Sequence, residues 1–258
     1  MSRRALFLAA AALASFGTLS CGDVPTLDNG IAYISTIVLP APAVAAGDQL
    51  RDSLGNVAPL RVIAYDRNNA EIPGVTASFL PTSVPVPITI GEDGVVTASD
   101  TVSTVQTVLL VARVGDKLQT TTASLLVVSQ PDSIARRVPE IKSAALPVLD
   151  TMGVAVSGVN SRGTRVAVPG IIVRYLIAGV YGTDVTSGTA VLTLDGKTVS
   201  RPDSLVAVDT TDQSGAVSRT LVVAGTGIDS VVVFARARSL KGMRLRGDSL
   251  HFVLRVTH

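Results

Sequence analysis

The chain has 258 residues, with 22 Lys and Arg against 20 Asp and Glu and a formal net charge of +2. That balance is too slight to grip a phosphate backbone, which excludes nucleic acid as a partner class. It has one cysteine and two histidines, so no intramolecular disulfide forms, and zinc, which takes several His or Cys ligands, lacks a ligand set. Valine is abundant while Trp is absent and Met is scarce, a propensity balance that favours strands over helices and predicts an all-β protein. Once an N-terminal segment is set aside, the length fits two domains, each able to bury a core.

Residues 2–20 open with Arg3 and Arg4, run through an apolar stretch over 5–14 and close on small residues. This is the three-part layout of a secretory signal, and the apolar stretch is too short for a comfortable membrane span. Thr18-Leu19-Ser20-Cys21 ends it, followed by Gly22-Asp23. The stretch resembles the lipobox of bacterial lipoproteins, where the signal is cut before the cysteine. It departs from the usual pattern in that Thr18 stands three places before the cysteine, where Leu is typical, and Leu19 sits one residue later. The resemblance implies that Cys21 carries a diacylglycerol and an N-acyl chain. At about 0.8 kcal/mol per buried methylene, several chains hold far more firmly than one. The plainer alternative is a signal peptide cut elsewhere that leaves an idle thiol. In lipoproteins of double-membrane bacteria an Asp directly after the cysteine favours the inner membrane. Here Gly22 takes that place and Asp23 comes one position late, so the resemblance points to the outer membrane, on its periplasmic or exterior face. Residues 1–20 thus read as a signal peptide and 21–30, polar and turn-rich, as an acylated tether.

The remaining chain carries a weak internal repeat. Ile72-Pro73-Gly74 followed by alternating residues up to Phe79 is echoed by Val168-Pro169-Gly170 leading to Tyr175. Pro-Gly makes a turn, and the alternation makes the strand after it. Each copy is preceded by an apolar strand and a polar loop: residues 60–65 with Asp66-Arg67-Asn68-Asn69, then 154–159 with Asn160-Ser161-Arg162-Gly163. A second marker, Val111-Ala112-Arg113, is echoed by Phe234-Ala235-Arg236. Both are followed by a polar turn and a closing strand, over 118–128 and 249–256. The second copy is longer, and its excess holds an Asp195-Gly196 hairpin signature, read as an added hairpin. A polar, proline-bearing boundary near Ser129-Gln130-Pro131 divides the chain into 31–129 and 130–258 with little linker between them. Short strands punctuated by Gly, Pro and Asp predict two tandem β-sandwiches.

These residues resemble bacterial immunoglobulin-like domains. The first copy is similar to the group-2 type, with Glu92-Asp93-Gly94 before the strands that reach Ala112 and Val128. The second is closer to the invasin-like type, with its Pro-Gly strand, Asp209-Thr210-Thr211-Asp212-Gln213-Ser214-Gly215 and Ala224-Gly225. The resemblance covers nearly all of the chain beyond the signal and implies envelope roles such as adhesion, spacing and polymer contact, without chemistry or cofactor.

Candidate sites are few. A catalytic triad would have to draw on His251 or His258, and His251 alternates outward on its strand, which reads against a catalytic role. No G-x-x-x-x-G-K-[ST] loop or G-x-S-x-G elbow occurs. Asp209 and Asp212 are the one weak candidate pair for calcium, against the reading that they shape a turn. Arg236, Arg238, Lys241, Arg244 and Arg246 cluster around the last hairpin, residues 236–246. They are candidates for an anionic polysaccharide or an acidic partner, against the plainer reading of solvated charges guarding an edge strand. A glycosidase built on paired carboxylates is a distant alternative, since aromatic platforms are scarce in a chain with 4 Tyr and 5 Phe. The expectation is a non-enzymatic envelope lipoprotein that contacts the membrane through its anchor and, through its loops, envelope polysaccharide or another surface protein.

Overall fold

The computed structural model describes residues 30–114, 120–184, 189–194, 197–198 and 206–258, and every regular element among them is a β-strand. The signal, Cys21 and residues 22–29 of the tether lie outside these residues. Asp195 and Gly196 do as well. The first nine strands are β1 (Tyr33–Val38), β2 (Ala43–Ala45), β3 (Arg61–Tyr65), β4 (Glu71–Ile72), β5 (Ser78–Pro81), β6 (Ile88–Ile90), β7 (Val96–Ala98), β8 (Gln106–Arg113) and β9 (Thr120–Val128). The next eleven are β10 (Gln130–Arg136), β11 (Ile141–Ala145), β12 (Val148–Val159), β13 (Arg165–Ala167), β14 (Ile172–Tyr181), β15 (Thr189–Leu194), β16 (Lys197–Thr198), β17 (Val206–Thr210), β18 (Ala216–Ala224), β19 (Ser230–Ala237) and β20 (Leu250–Thr257).

In the N-terminal half one sheet runs β2-β9-β8-β5, and opposite it lie β1-β3-β4 and the pair β6-β7. These last two groups meet where the Leu60 and Leu50 N–H groups donate to the carbonyls of Gly94 and Val96, both at 2.9 Å. Alternate residues of the two layers share one core: Ile37, Leu60, Ile88 and Val96 from one side, Val108, Leu110, Leu125 and Val127 from the other. The C-terminal half pairs β10-β12-β18-β15-β16, with β13 alongside β12, against β11-β20-β19-β14-β17. Its core gathers Val154, Val156, Leu221 and Val223 against Val173, Tyr175, Val231, Val233 and Phe252.

Both halves divide their opening strand. Its first segment pairs antiparallel with the next long strand, β1 with β3 and β10 with β12. Its second segment crosses to the other sheet and runs parallel to the last strand, β2 with β9 and β11 with β20. With β12, β18 and β15 in one layer and β14, β19 and β20 in the other, the strand order is that of an immunoglobulin-like sandwich.

The repeated markers occupy equivalent places. Phe79 lies opposite Ala112 in the β5-β8 ladder, and Tyr175 lies opposite Ala235 in the β14-β19 ladder, so each aromatic sits on its strand across from the alanine of the second marker. The polar loops match atom for atom. Asp66 Oδ1 accepts from the N–H groups of Asn68 and Ala70, and Asn160 Oδ1 from those of Arg162 and Thr164. The same five-residue turn, with a left-handed fourth residue, recurs at Asp52, Asp212 and Ser239. In the longer second copy β15 pairs with β18 as β6 pairs with β7, so β15 is a sandwich strand in its own right. It also pairs with β16 on either side of Asp195-Gly196. Among the described residues two strands have no counterpart in the first half: β16, and β17 on the edge beside β14.

An apolar seam joins the halves. β2 is buried along its whole length because Val44 faces its own core while Ala43 belongs to the core of the C-terminal half. β9 divides likewise, with Leu125 and Val127 facing one way and Leu126 and Val128 the other. The Pro169-Gly170 turn is seated on Ala43: a Cβ on Gly170 would lie 2.6 Å from that of Ala43, and the backbone there has φ +75. Gly74, its counterpart in the first copy, has φ +72 and open space around it. Gly74→Ala is therefore expected to cost only the left-handed backbone penalty, about 1 kcal/mol. Gly170→Ala adds the clash and should cost about 2–4 kcal/mol. Denaturant unfolding of the two variants measures the difference, and equal losses would remove the seam contact from this account.

Candidate functional site

Two concavities among the described residues bear on the predicted sites. The first is a groove of about 550 Å³ on the outside of the C-terminal sandwich, lined by Arg137, Thr151, Gly153, Asp209, Asp212 and Ser218, among others. It holds both aspartates of the calcium reading, but each has protein partners. Asp212 Oδ1 accepts from the Ser214 hydroxyl at 2.7 Å and from the N–H groups of Ser214 and Ala216. Those bonds, the Ser214 hydroxyl first, hold its carboxyl below the ordinary carboxylate range, and the positive charge of Arg137 adds to them. Asp209 accepts from the Thr210 N–H at 2.7 Å and approaches Arg219 at 3.7 Å. Among the described residues no three His, Cys, Asp or Glu side chains gather to hold a metal.

Behind Asp209 lies a residue that the sequence reading passed over. Arg219 on β18 is 3% exposed, and its alternation with Val217 and Leu221 turns it inward. Its Nη2 donates to the Val208 carbonyl, while Nε and Nη1 find no partner. Tyr175 completes the cluster, its hydroxyl donating to the Val217 carbonyl at 3.1 Å. Burial and then the charge of Asp209 push its phenol well up from the ordinary value, with Arg219 opposing.

The fold divides the predicted basic cluster, leaving Arg238 and Arg244 opposite each other in an isolated bridge. Lys241 Nζ reaches across to Asp48 Oδ2 at 3.6 Å, and Arg246 lies 3.8 Å from Asp132. Arg244 is exposed. Arg236 and Arg238 instead turn into the second concavity, a cleft of about 340 Å³ between the halves. Its N-terminal wall is Ala41 with the Asp52–Gly55 turn, and its C-terminal wall includes Gly170, Ile172, Arg174 and Leu240. Arg236 packs over the Phe234 ring at 5.5 Å, and that ring stacks on His251 at 4.3 Å. His251 therefore faces outward, as its place on the strand predicts. His258 Nε2 meets Asp229 Oδ1 at 3.0 Å.

No protein-family model and no curated protein matches the chain. Among solved structures it is similar to domains 4 and 5 of the S-layer protein SbsC, with 17% identity over 88% of this chain and 100% of that one at a TM-score of 0.31. It is similar also to the Yersinia pseudotuberculosis adhesin InvE, with 18% identity over 90% and 62% of the two chains at a TM-score of 0.36. The endo-fucoidan hydrolase MfFcnA9 matches with 12% identity over 88% of this chain and 33% of that one, also at 0.36. These are loose overlays that transfer no role.

Two outcomes are expected from the groove. Replacing a buried charge by an apolar residue of similar length is commonly neutral or stabilising, whereas removing its partner leaves the charge uncompensated. Arg219→Met should therefore retain or raise the unfolding midpoint and Asp209→Ala should lower it, as thermal denaturation of both will report. Because the folded pKa of Asp212 lies below its unfolded value, its contribution is complete above the unfolded pKa and fades as pH falls through the folded one. Asp212→Ala should flatten the acid limb of a stability-against-pH curve below about pH 4, and an unchanged limb would count against the turn's hydrogen bonds.

Proposed function

We propose that this chain is a non-enzymatic cell-envelope lipoprotein in which two immunoglobulin-like sandwiches serve as an adhesion, binding or spacer module. In this reading Cys21 is acylated and inserts into the outer membrane, and residues 22–30 tether the sandwich pair to it. One observation carries the reading: the only cysteine in the chain stands where the lipobox-like Thr18-Leu19-Ser20 ends a signal-like segment. The two sandwiches, joined by a buried seam, supply loops and a cleft for such contacts. The partners are the membrane, through the anchor, and an envelope polymer or surface protein, through the sandwiches. A polysaccharide ligand is the favoured second element, because Arg236 and Arg238 line a cleft together with Arg174. Expressed in full length in a double-membrane bacterium, the wild type is expected to incorporate a clickable palmitate analogue and to fractionate with the outer membrane. Cys21→Ala should lose the label and leave that fraction. A variant that remained processed and membrane-bound would end the anchor reading.

A further inference from the structure

The cleft between the halves holds a pattern that the duplication itself makes conspicuous. In the β5-β8 ladder of the first half, Arg113 lies opposite Ser78. At the equivalent position of the second half, Arg236 lies opposite Arg174. Like charges directly opposite on neighbouring strands are destabilising, and Arg238, two residues further along, adds a third guanidinium to the same outward face. Arg238 is held by its Nη1 donating to the Gly242 carbonyl at 3.1 Å. Among the described residues no carboxylate lies within ion-pair distance of any of the three. Asp52, the one acid in the lining, has its Oδ1 occupied by the N–H groups of Leu54 and Asn56. The three side chains line one cleft with N–H donors to spare, Arg236 leaning over the Phe234 ring.

We infer that this cleft binds an acidic sugar, with Arg174, Arg236 and Arg238 receiving its carboxylate or sulfate ester. Guanidinium forks match planar and tetrahedral oxyanions with paired N–H donors, which is why arginine is the residue of such sites. The remaining wall includes the apolar Ala41, Leu54, Ile172 and Leu240, which suit the C–H face of a ring, beside the polar Ser53 and Ser239. A volume of about 340 Å³ lies at the small end of ligand sites, roughly 300–1,000 Å³, and so selects a mono- or disaccharide unit. An acidic peptide is disfavoured because β14 is flanked by β17 and β19, leaving no open strand edge beside the arginines for an extended chain to add to. The inference deepens the binding-module reading but is independent of the lipid anchor. Cys21→Ala leaves the cleft intact, and loss of cleft binding leaves membrane attachment intact.

The test is isothermal titration of the full-length protein in detergent with four probes: inorganic sulfate, glucuronate, a sulfated glucuronate-containing disaccharide, and tetraglutamate. The disaccharide is expected to bind most tightly and to weaken as salt rises. Arg174→Gln and Arg236→Gln should each weaken it about tenfold or more, and Arg246→Gln, outside the cleft and directed at Asp132, should leave it unchanged. Heat denaturation of the variants in the absence of ligand separates loss of the site from loss of the fold. As like charges are removed, unliganded Arg174→Gln should be at least as stable as the wild type. Overturning results are no binding of either sugar, sulfate binding as tightly as the disaccharide, tetraglutamate binding more tightly than both sugars, or an equal loss in Arg246→Gln.

Discussion

The arrangement of the two sandwiches rests on one apolar seam, in which β2 and the end of β9 are covered on both faces. In an ordinary half-buried strand alternate residues meet water. Here Ala43 and Val44 are both buried, one in each core. The seam tolerates only small groups at its closest point, so the Pro169-Gly170 turn can rest on Ala43 because glycine stands there. A second close approach lies at the rim, where a Cβ on Gly55 would come within 2.9 Å of the Gly242 backbone. Around these contacts the polar links fall into place: Lys241 to Asp48, Asn160 Nδ2 to the Ser103 carbonyl, and Gln130 Nε2 to the Ala46 carbonyl. The seam thereby sets what faces the cleft. It brings the Asp52 turn over β14 and β19 and turns their outward arginines from a solvated sheet face into the wall of a concavity.

Duplication also explains where the second half departs from the first. One of its two extra strands, β17, lies beside β14 and supplies both the Val208 carbonyl and the Asp209 carboxylate that meet Arg219. A buried guanidinium is costly unless its charge and donors are met, and two of its nitrogens remain without partners. The added chain and the buried charge thus belong together: without β17, Arg219 would have neither of these oxygens. Tyr175, the repeat's aromatic, is tied into the same cluster through the Val217 carbonyl. At the matching place in the first half, Phe79 needs no such bond.

Much of this was legible along the chain. The alternation and turn chemistry that mark Ile72 to Phe79 and Val168 to Tyr175 are local properties, and they correctly anticipate an all-β chain with two equivalent strand sets. Among the described residues one hairpin turn occurs six times, five with Asp, Asn or Ser at the first position and one with Gly91 there, and always with Gly or Asn at the fourth, residues that satisfy the turn without outside help. Arg219 could have been anticipated too, because the run from Ala216 to Ala224 alternates and places it with the apolar residues. What the sequence misled on was the grouping of charges. Arg236 through Arg246 are close in number, yet a strand sends neighbours to opposite faces and a hairpin spreads its tip, so Lys241 and Arg246 find acids elsewhere while Arg236 and Arg238 find Arg174.

The sequence by itself determined the strand content, the repeat, the turn positions and the signal-like segment ending at Cys21, because each depends on residues within a few positions of one another. Only the tertiary structure decided that Arg174 stands across from Arg236, that Asp209 answers Arg219, and that a cleft opens between the halves. Those relations join residues far apart in the chain. They depend on strand register and on which face of each sheet the seam covers, which short-range patterns do not encode.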